Sequence, residues 1–97
     1  MSSIDNLLKV FESRIRLGIM SALMVNEVLT FNDLKELLNL TDGNLASHLK
    51  TLEQQGIIEV SKQFVGRKPN TSYKATGHGK DLFRQHLEAL ENLINNR

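Results

Sequence analysis

The segment TDGNLASHLKTLEQQG carries small, hydrogen-bonding side chains along one side of a short helix. Thr41 at its start is a good N-cap residue, and Gly56 at its end suits a left-handed C-terminal cap. At about 100° per residue, the leucines share one side, whereas Gly43, Asn44 and Ser47 share the other. Short side chains let a helix approach base edges in the DNA major groove, and Asn suits a bidentate contact with adenine. The alternative is an exposed face that binds nothing.

The positive charge of the chain is concentrated just after this helix. Residues 61–84 contain six basic and one acidic side chain, a net charge of +5. The rest of the chain contains six basic and ten acidic side chains, a net charge of −4, so the overall value of +1 hides the asymmetry. Local positive charge attracts a polyanion, and a solvated basic loop is the alternative.

The sequence carries none of the common catalytic motifs. It has no GxSxG, phosphate-loop or HExxH pattern and no cysteine. Of its three histidines, His78 and His86 lie eight positions apart, which places them about 80° apart around a helix, so they do not converge on a metal. We therefore expect no enzyme activity, no cofactor and no metal site.

The bulk properties indicate one small domain. The chain has 97 residues, and no linker or repeat divides it. Its longest apolar stretch, LGIMSALMV, is too short to span a bilayer, and the N-terminus lacks the pattern of a secretory signal. The absence of cysteine fits a reducing compartment. These features predict a cytoplasmic protein with no membrane partner.

Apolar spacing predicts an amphipathic helix at the N-terminus. Four apolar residues follow the i, i+3, i+4, i+7 pattern of such a helix, and Ser3 is its expected cap. The four residues are Ile4, Leu7, Leu8 and Phe11. The next helix, over residues 13–25, has no polar face and is expected to be buried, with Gly18 marking a close neighbour.

A helix-turn-helix is expected next. After the short extended segment VLTF, Asn32 is the expected cap of a helix that ends near Asn39. Three of its leucines are expected to face inward, namely Leu34, Leu37 and Leu38. Only two residues, Leu40 and Thr41, separate it from the next helix, and so tight a connection is typical of a helix-turn-helix.

A β-hairpin and a last helix complete the chain. IIEVSKQFV and TSYKAT have the composition of strands, with Tyr73 and Ala75 on one face, and GRKPN between them is rich in turn-forming residues. This places Arg67 and Lys68 near the hairpin tip. Thr76 is the expected cap of the last helix, and the glycines of GHG are expected to ease the turn into it.

These elements predict a mainly α, α+β fold, a winged helix-turn-helix with extra N- and C-terminal helices. It forms a single domain over 1–97, with a recognition helix at about 41–55, a wing at about 57–75 and a dimerisation helix at about 77–95. The helix would enter the major groove, and the wing would contact the backbone or the minor groove. The expected DNA-binding residues are Thr41, Gly43, Asn44, Ser47, His48, Lys50, Lys62, Arg67, Lys68 and Lys74.

The two terminal helices are expected to form a dimer interface. The last helix carries a wide apolar stripe, and within it four residues are spaced by four, three and four, as in a seam between packed helices. A two-fold dimer would cover both terminal stripes and would place two recognition helices on a pseudo-palindromic site. The alternative is that both helices pack on their own core. The stripe comprises Leu82, Phe83, Leu87, Leu90, Leu93 and Ile94. The interface residues are Ile4, Leu7, Leu8, Phe11, Phe83, Leu87, Leu90 and Ile94.

Three segments resemble the small stand-alone winged-helix transcriptional regulators of bacteria and archaea, relatives of the MarR and ArsR families. They are SRIRLGIMSAL, FNDLKELLNLTDGNLASHLKTLEQQGIIEV and GRKPNTSYKATGHGK, and the resemblance covers roughly residues 10–95. It implies that Asn44 and Ser47 read the groove and that Arg67 and Lys68 are wing contacts. It also implies a dimer. ArsR-type metal sensors usually depend on cysteine, which this chain lacks.

The expected function is therefore that of a homodimeric, sequence-specific regulator that binds double-stranded DNA. It would act as a repressor by covering promoter DNA. Two alternatives stay open. Winged helices also serve as protein-interaction adaptors without specific DNA readout. A small-molecule effector in the dimer cleft is the other possibility, and the sequence does not identify one.

Overall fold

The computed structural model describes residues 4–95, and Ser3, the expected cap of the first helix, lies outside them. The described chain forms four α-helices, two short 3-10 helices and a three-stranded antiparallel sheet, which confirms the α+β winged helix-turn-helix fold. In chain order the elements are the 3-10 helices Ile4–Asn6 and Lys9–Phe11, α1 (Arg14–Val25), β1 (Leu29–Thr30), α2 (Phe31–Leu38), α3 (Asp42–Gln54), β2 (Ile58–Val65), β3 (Lys68–Ala75) and α4 (Gly77–Asn95).

Strand β3 is the centre of the sheet, between β1 and β2. The β2–β3 hairpin turns over only two residues, Gly66 and Arg67, and Gly66 has a φ of +67°, which glycine adopts without strain. The predicted turn was too long, because Pro69 lies within β3 opposite Phe64. Proline is tolerated there since β1 pairs β3 only at Ser72 and Tyr73, so Pro69 lies on a free strand edge.

Helix α1 is the central helix, as predicted. Its residues Ile19 and Met20 are fully buried, and a Cβ on Gly18 would lie 3.2 Å from Cδ2 of Leu38, so α2 packs closely there. On α2, Leu34 is fully buried, but the prediction that Leu37 faces inward is wrong, because it is 62% exposed. The inward stripe of this short helix runs through Leu34 and Leu38, four residues apart, and Leu37 lies off it.

Helix α2 begins two residues earlier than predicted. Thr30 is its N-cap, because Oγ1 of Thr30 accepts a hydrogen bond from the backbone N–H of Asp33 at 3.0 Å. In return, Oδ2 of Asp33 accepts from the N–H of Thr30 at 3.0 Å, which completes a capping box. Asn32 was the wrong choice of cap, since it lies inside the first turn.

With its caps, α3 spans residues 41–55, the limits predicted for this helix. The left-handed Asn39, with a φ of +52°, ends α2 and turns the chain into the next helix. Oγ1 of Thr41 then accepts from the N–H of Asn44 at 3.3 Å and caps α3. Gly56 follows α3 with a φ of +71°, so a left-handed glycine ends the helix and the chain continues into β2.

The prediction of one amphipathic helix at the N-terminus is wrong. Residues 4–11, here called the N-terminal segment, form two three-residue 3-10 helices separated by an extended Leu8. The N–H of Leu8 does not bond within a helix but donates to Nδ1 of His86 on α4, at 3.0 Å. Phe11 is buried and packs edge-on against Phe83, with ring centroids 5.1 Å apart. A contact with the far end of the chain therefore decides the local conformation.

The junction between the hairpin and α4 is tightly packed. Oγ1 of Thr76 accepts from the N–H of Gly79 at 2.9 Å, which confirms Thr76 as the cap, and donates to the carbonyl of Gly56 at 2.6 Å. Gly77 and Gly79 do not have positive φ values, so easing a turn is not their role. Gly79 is needed for close packing instead, since a Cβ there would lie 2.0 Å from the carbonyl oxygen of Ile57.

The buried imidazole of His86 is expected to make folding stability depend on pH. Nδ1 accepts a hydrogen bond, and His86 is 4% exposed, so the folded protein holds the neutral ring. Burial lowers the pKa of His86 below its ordinary 6.5, against an opposing effect of Glu12. The unfolded chain then binds more protons below about pH 6.5, so the free energy of unfolding falls as pH falls through that value.

Urea unfolding at about pH 7.5 and about pH 5.5 measures this loss of stability. His86→Phe removes the titrating group and is expected to lose less stability between the two values than the wild type does. His78→Gln is the matched control, because His78 is exposed on the same helix. An equal loss in all three proteins contradicts the assignment to His86.

Candidate nucleic-acid interface

Helix α3 presents an exposed polar face. It packs on the core through three leucines, Leu45, Leu49 and Leu52, which are at most 2% exposed. On the opposite side, Gly43, Asn44, Ser47 and Lys50 are all exposed. Among residues 4–95, the side chains of Asn44, Ser47 and Lys50 have no hydrogen-bond or ion-pair partner. These polar groups therefore remain free for a ligand.

Gly43 is not required by the fold. A Cβ added at this position would meet nothing within 4 Å, and its φ is not positive. Glycine also costs a helix about 1 kcal/mol relative to alanine. The fold therefore gives no reason for glycine at the first turn of α3, whereas close approach of an external surface does.

The start of α3 is less acidic than the sequence alone indicates. Asp42 in its first turn forms an ion pair with Lys35 of α2, at 2.8 Å between Nζ and Oδ1. Both side chains are exposed, so the pair contributes little to stability. Lys35 nevertheless balances the negative charge of Asp42. The free backbone N–H groups at the start of α3 can therefore attract phosphate oxygens.

Lys62 and Lys74 lie on opposite faces of the β2–β3 hairpin. Two residues that lie opposite each other on β2 and β3 have their side chains on the same face of the sheet. The face with the buried Ile58 and Tyr73 also carries Lys62 and Phe64, which lie nearer the hairpin tip. Lys74 lies on the opposite face, where its Nζ is 3.0 Å from Oε1 of Glu59. The hydrogen bond and charge of Glu59 raise the pKa of Lys74. The structure therefore separates Lys74 from Lys62.

The hairpin tip combines basic and apolar side chains. Arg67 lies in the two-residue turn and Lys68 begins β3, and both are exposed. Phe64 and Val65 are 76% and 66% exposed. Neither residue was predicted to be part of the site, although alternation from Ile58 and Val60 places Phe64 on the same face of β2, beyond the core.

His48 is the one predicted DNA-binding residue on α3 whose side chain has a partner elsewhere in the described chain. It is half-buried, and its Nδ1 lies 2.9 Å from Nη1 of Arg16 on α1. Nε of Arg16 also donates to the backbone carbonyl of Val10 at 2.6 Å. Arg16 was not among the predicted residues, and its signal in the sequence was a basic side chain between the apolar Ile15 and Leu17 of α1.

Two residues assigned to the dimer interface belong to the core of the single chain. Phe11 and Phe83 are 2% and 3% exposed and contact each other, so a partner chain cannot reach them, and their assignment is corrected. Ile4, Leu87 and Ile94 are 72%, 44% and 78% exposed. Leu7, Leu8 and Leu90 are partly buried. These last six residues remain a prediction.

The histidines of the described chain lie in separate environments. His86 is buried against the N-terminal segment, His48 contacts Arg16, and His78 is exposed. Over residues 4–95, no group of three or more His, Asp or Glu side chains is close enough to hold a metal ion. No helix of that range has the length and apolar character that crossing a membrane requires.

The helix-turn-helix of α2 and α3, followed directly by the β2–β3 hairpin, defines a winged-helix protein. Residues 15–94 match the family model of a winged helix DNA-binding domain, and the chain belongs to this family. An uncharacterized protein of Methanocaldococcus jannaschii is 39% identical over 89 residues, which cover 92% of this chain and 97% of that protein.

Solved structures with the same fold include proteins described as transcriptional regulators. A transcriptional regulator homologue of Pyrococcus horikoshii OT3 aligns with a TM-score of 0.78 and 30% identity, over 94% of this chain and 95% of that one. A MarR mutant from E. coli, solved with operator DNA, shares the fold with a TM-score of 0.73 and 17% identity, over 84% of this chain and 58% of that one. The predicted resemblance to small winged-helix regulators is confirmed, and the likeness to MarR is one of fold.

Proposed function

We propose that this protein is a homodimeric transcriptional regulator that reads a specific sequence in double-stranded DNA. The observation that carries the proposal is the exposed face of α3, whose polar side chains have no partner within residues 4–95 and whose Gly43 the fold does not require. Membership of a winged helix DNA-binding domain family supports it, as does the likeness to the Pyrococcus regulator homologue.

The residues of the proposed interface have different roles. Thr41 fixes the start of α3, and Gly43 lets the helix approach the groove. Asn44 and Ser47 would contact base edges, which is where sequence is read. Phosphate contacts would come from exposed basic side chains on α3 and the wing, namely Lys50, Lys62, Arg67 and Lys68. We leave Lys74 out of this set, because Glu59 balances its charge.

A dimer would account for the exposed apolar residues at the ends of the chain. The buried positions of α4 end at Ala89, and beyond them Ile94 is 78% exposed. Ile4 is exposed in the N-terminal segment, which packs against α4. A two-fold partner covering these residues would present two copies of α3 to successive major grooves. Bound in the cytoplasm at a promoter, such a dimer would repress by excluding polymerase.

Analytical ultracentrifugation of the protein with a duplex that it binds tests this stoichiometry. We expect two chains per duplex, and a dimer, or a readily formed dimer, in the absence of DNA. One chain per duplex at saturation would remove the dimer from the proposal. Retention of a protein partner together with weak, sequence-blind DNA binding would favour the adaptor function instead.

Arg67→Gln is expected to weaken binding to all duplexes by a similar factor. Arg67 sits at the wing tip with no partner in the described chain, so its loss removes a phosphate or minor-groove contact without disturbing base readout. The slope of log affinity against log salt concentration should fall in magnitude by about one. Fluorescence anisotropy at several salt concentrations measures both quantities.

The matched control for this variant is Arg84→Gln. Arg84 is an exposed arginine on α4 that pairs with Asp81 at 3.3 Å, away from the hairpin. Its replacement should leave affinity and salt slope nearly unchanged. An effect of Arg67→Gln that depends strongly on the duplex sequence, or no effect at all, contradicts the role given to the wing.

A further inference from the structure

Arg16 connects three parts of the molecule through one side chain. It lies on α1, its Nε donates to the carbonyl of Val10 at 2.6 Å, and its Nη1 is 2.9 Å from Nδ1 of His48. Val10 belongs to the N-terminal segment and His48 to α3. We call this set of contacts the Arg16 bridge. Through this side chain, α1 joins α3 to the N-terminal segment by hydrogen bonds.

The bridge fixes the protonation of His48. A guanidinium has donors and no acceptor, so Nδ1 of His48 must accept the hydrogen bond and carry no proton. The neutral ring therefore carries its proton on Nε2. Burial, followed by the charge of Arg16, lowers the pKa of His48 below 6.5, which favours this neutral form.

The protonated ring nitrogen is available to a ligand. Nε2 of His48 has no hydrogen-bond partner among residues 4–95. It is also accessible to solvent, because no buried side-chain nitrogen or oxygen of the described chain lacks a partner. His48 follows Asn44 by four positions and precedes Thr51 by three, so it borders the polar face of α3.

We infer that Arg16 is a positioning residue for DNA binding, which holds His48 as a neutral Nε2–H donor to a phosphate at the edge of the α3 face. The inference rests on the proposed function and deepens it. The ring contributes direction and a hydrogen bond rather than charge. Because the same guanidinium holds Val10, the bridge also links the placement of α3 to the N-terminal segment.

The first test needs no DNA. Two-dimensional ¹⁵N NMR of the imidazole rings reports which nitrogen of His48 carries the proton and how the ring titrates. The wild type is expected to show the Nε2–H tautomer, and Arg16→Gln should show a mixed tautomer and a pKa closer to 6.5. Arg14→Gln is the matched control, because it removes an exposed arginine from the same helix. A wild-type ring protonated on Nδ1 overturns the bridge.

The second test measures affinity for a duplex that the wild type binds. Arg16→Gln and His48→Phe are each expected to bind about tenfold more weakly than Arg14→Gln. The double variant should lose little more than either single variant, because both remove the same contact. His48→Gln keeps an acceptor and a donor and should restore most of the affinity.

Salt dependence separates a neutral donor from a cation. A neutral donor releases no counterion, so His48→Phe should leave the salt slope unchanged, unlike Arg67→Gln. Wild-type affinity of His48→Phe, or a slope reduced by about one, overturns the inference. His48→Phe also carries the test if Arg16→Gln does not fold, since it leaves the bond from Arg16 to Val10. If the wild type binds no duplex, the proposed function and the phosphate contact fail together, whereas the NMR result still reports whether the bridge exists.

Discussion

Replacing Gly79 with alanine is expected to destabilise the protein by at least about 3 kcal/mol, at the upper end of the usual cost of overpacking. A Cβ at this position would lie 2.0 Å from the carbonyl oxygen of Ile57 and 2.8 Å from its carbonyl carbon. These are backbone atoms of a fully buried residue, so no rotamer change relieves the clash. The same carbonyl accepts from the N–H of Thr76 at 3.0 Å, and moving it would loosen the junction between the wing and α4.

Gly77→Ala is the matched control for this variant. Gly77 lies two residues earlier in the same helix turn, and a Cβ there would meet nothing within 4 Å. Alanine is the better helix former, so this variant should be unchanged or slightly more stable, by up to about 1 kcal/mol. Urea unfolding followed by circular dichroism compares the two. Equal midpoints for Gly79→Ala and Gly77→Ala would contradict the packing at Ile57.

Asn44→Ala is expected to abolish discrimination at one base position of each half-site. A bidentate contact from Asn to adenine contributes about 1–3 kcal/mol, which is roughly a tenfold to hundredfold preference over the wrong base. Folding should be unaffected, because the Asn44 side chain is exposed and without a partner in residues 4–95. Its backbone N–H still donates to Thr41 in the variant.

Competition between duplexes that differ at single positions measures this preference. Gln85→Ala is the control, because it removes an exposed amide from α4, away from the proposed groove-reading face. It should keep both affinity and preference. A preference for the same bases in Asn44→Ala as in the wild type would exclude Asn44 from base readout, whatever the change in overall affinity.

Local chemistry explains why the limits of α3 were predictable from sequence. Thr41 and Gly56 carry their own capping signals, and the leucines between them have a helical period, so the limits of α3 agree with the prediction. At α2, Thr30 and Asn32 are both good caps. Asp33 decides between them, because it can return a bond to the N–H of Thr30 and so complete a capping box.

The errors at the N-terminus and in the dimer interface come from contacts between distant parts of the chain. The N-terminal segment has helical spacing, but Leu8 bonds to His86, which lies 78 positions away in sequence. The packing of Phe11 against Phe83 likewise removes both residues from the surface that a dimer could use. A single sequence contains no direct signal for such pairings, so propensity favoured one continuous helix.

The candidate site was predictable where it is local. The polar face of α3 follows from helix periodicity alone. The outward orientation of Lys74 was also predictable from sequence, because side chains alternate along a strand and Tyr73 and Ala75 face inward. The Arg16 bridge was not available, since it joins three elements whose mutual placement only the folded structure gives.

Selection from a pool of random duplexes at near-physiological salt tests the central claim most directly. The purified wild-type protein retains a fraction of the pool, and that fraction is sequenced. The account predicts an enriched inverted repeat whose half-site centres are about 34–36 Å apart, one turn of B-DNA. Retention without any enriched sequence, at salt concentrations where the protein is folded, would contradict a sequence-reading regulator and leave the adaptor function.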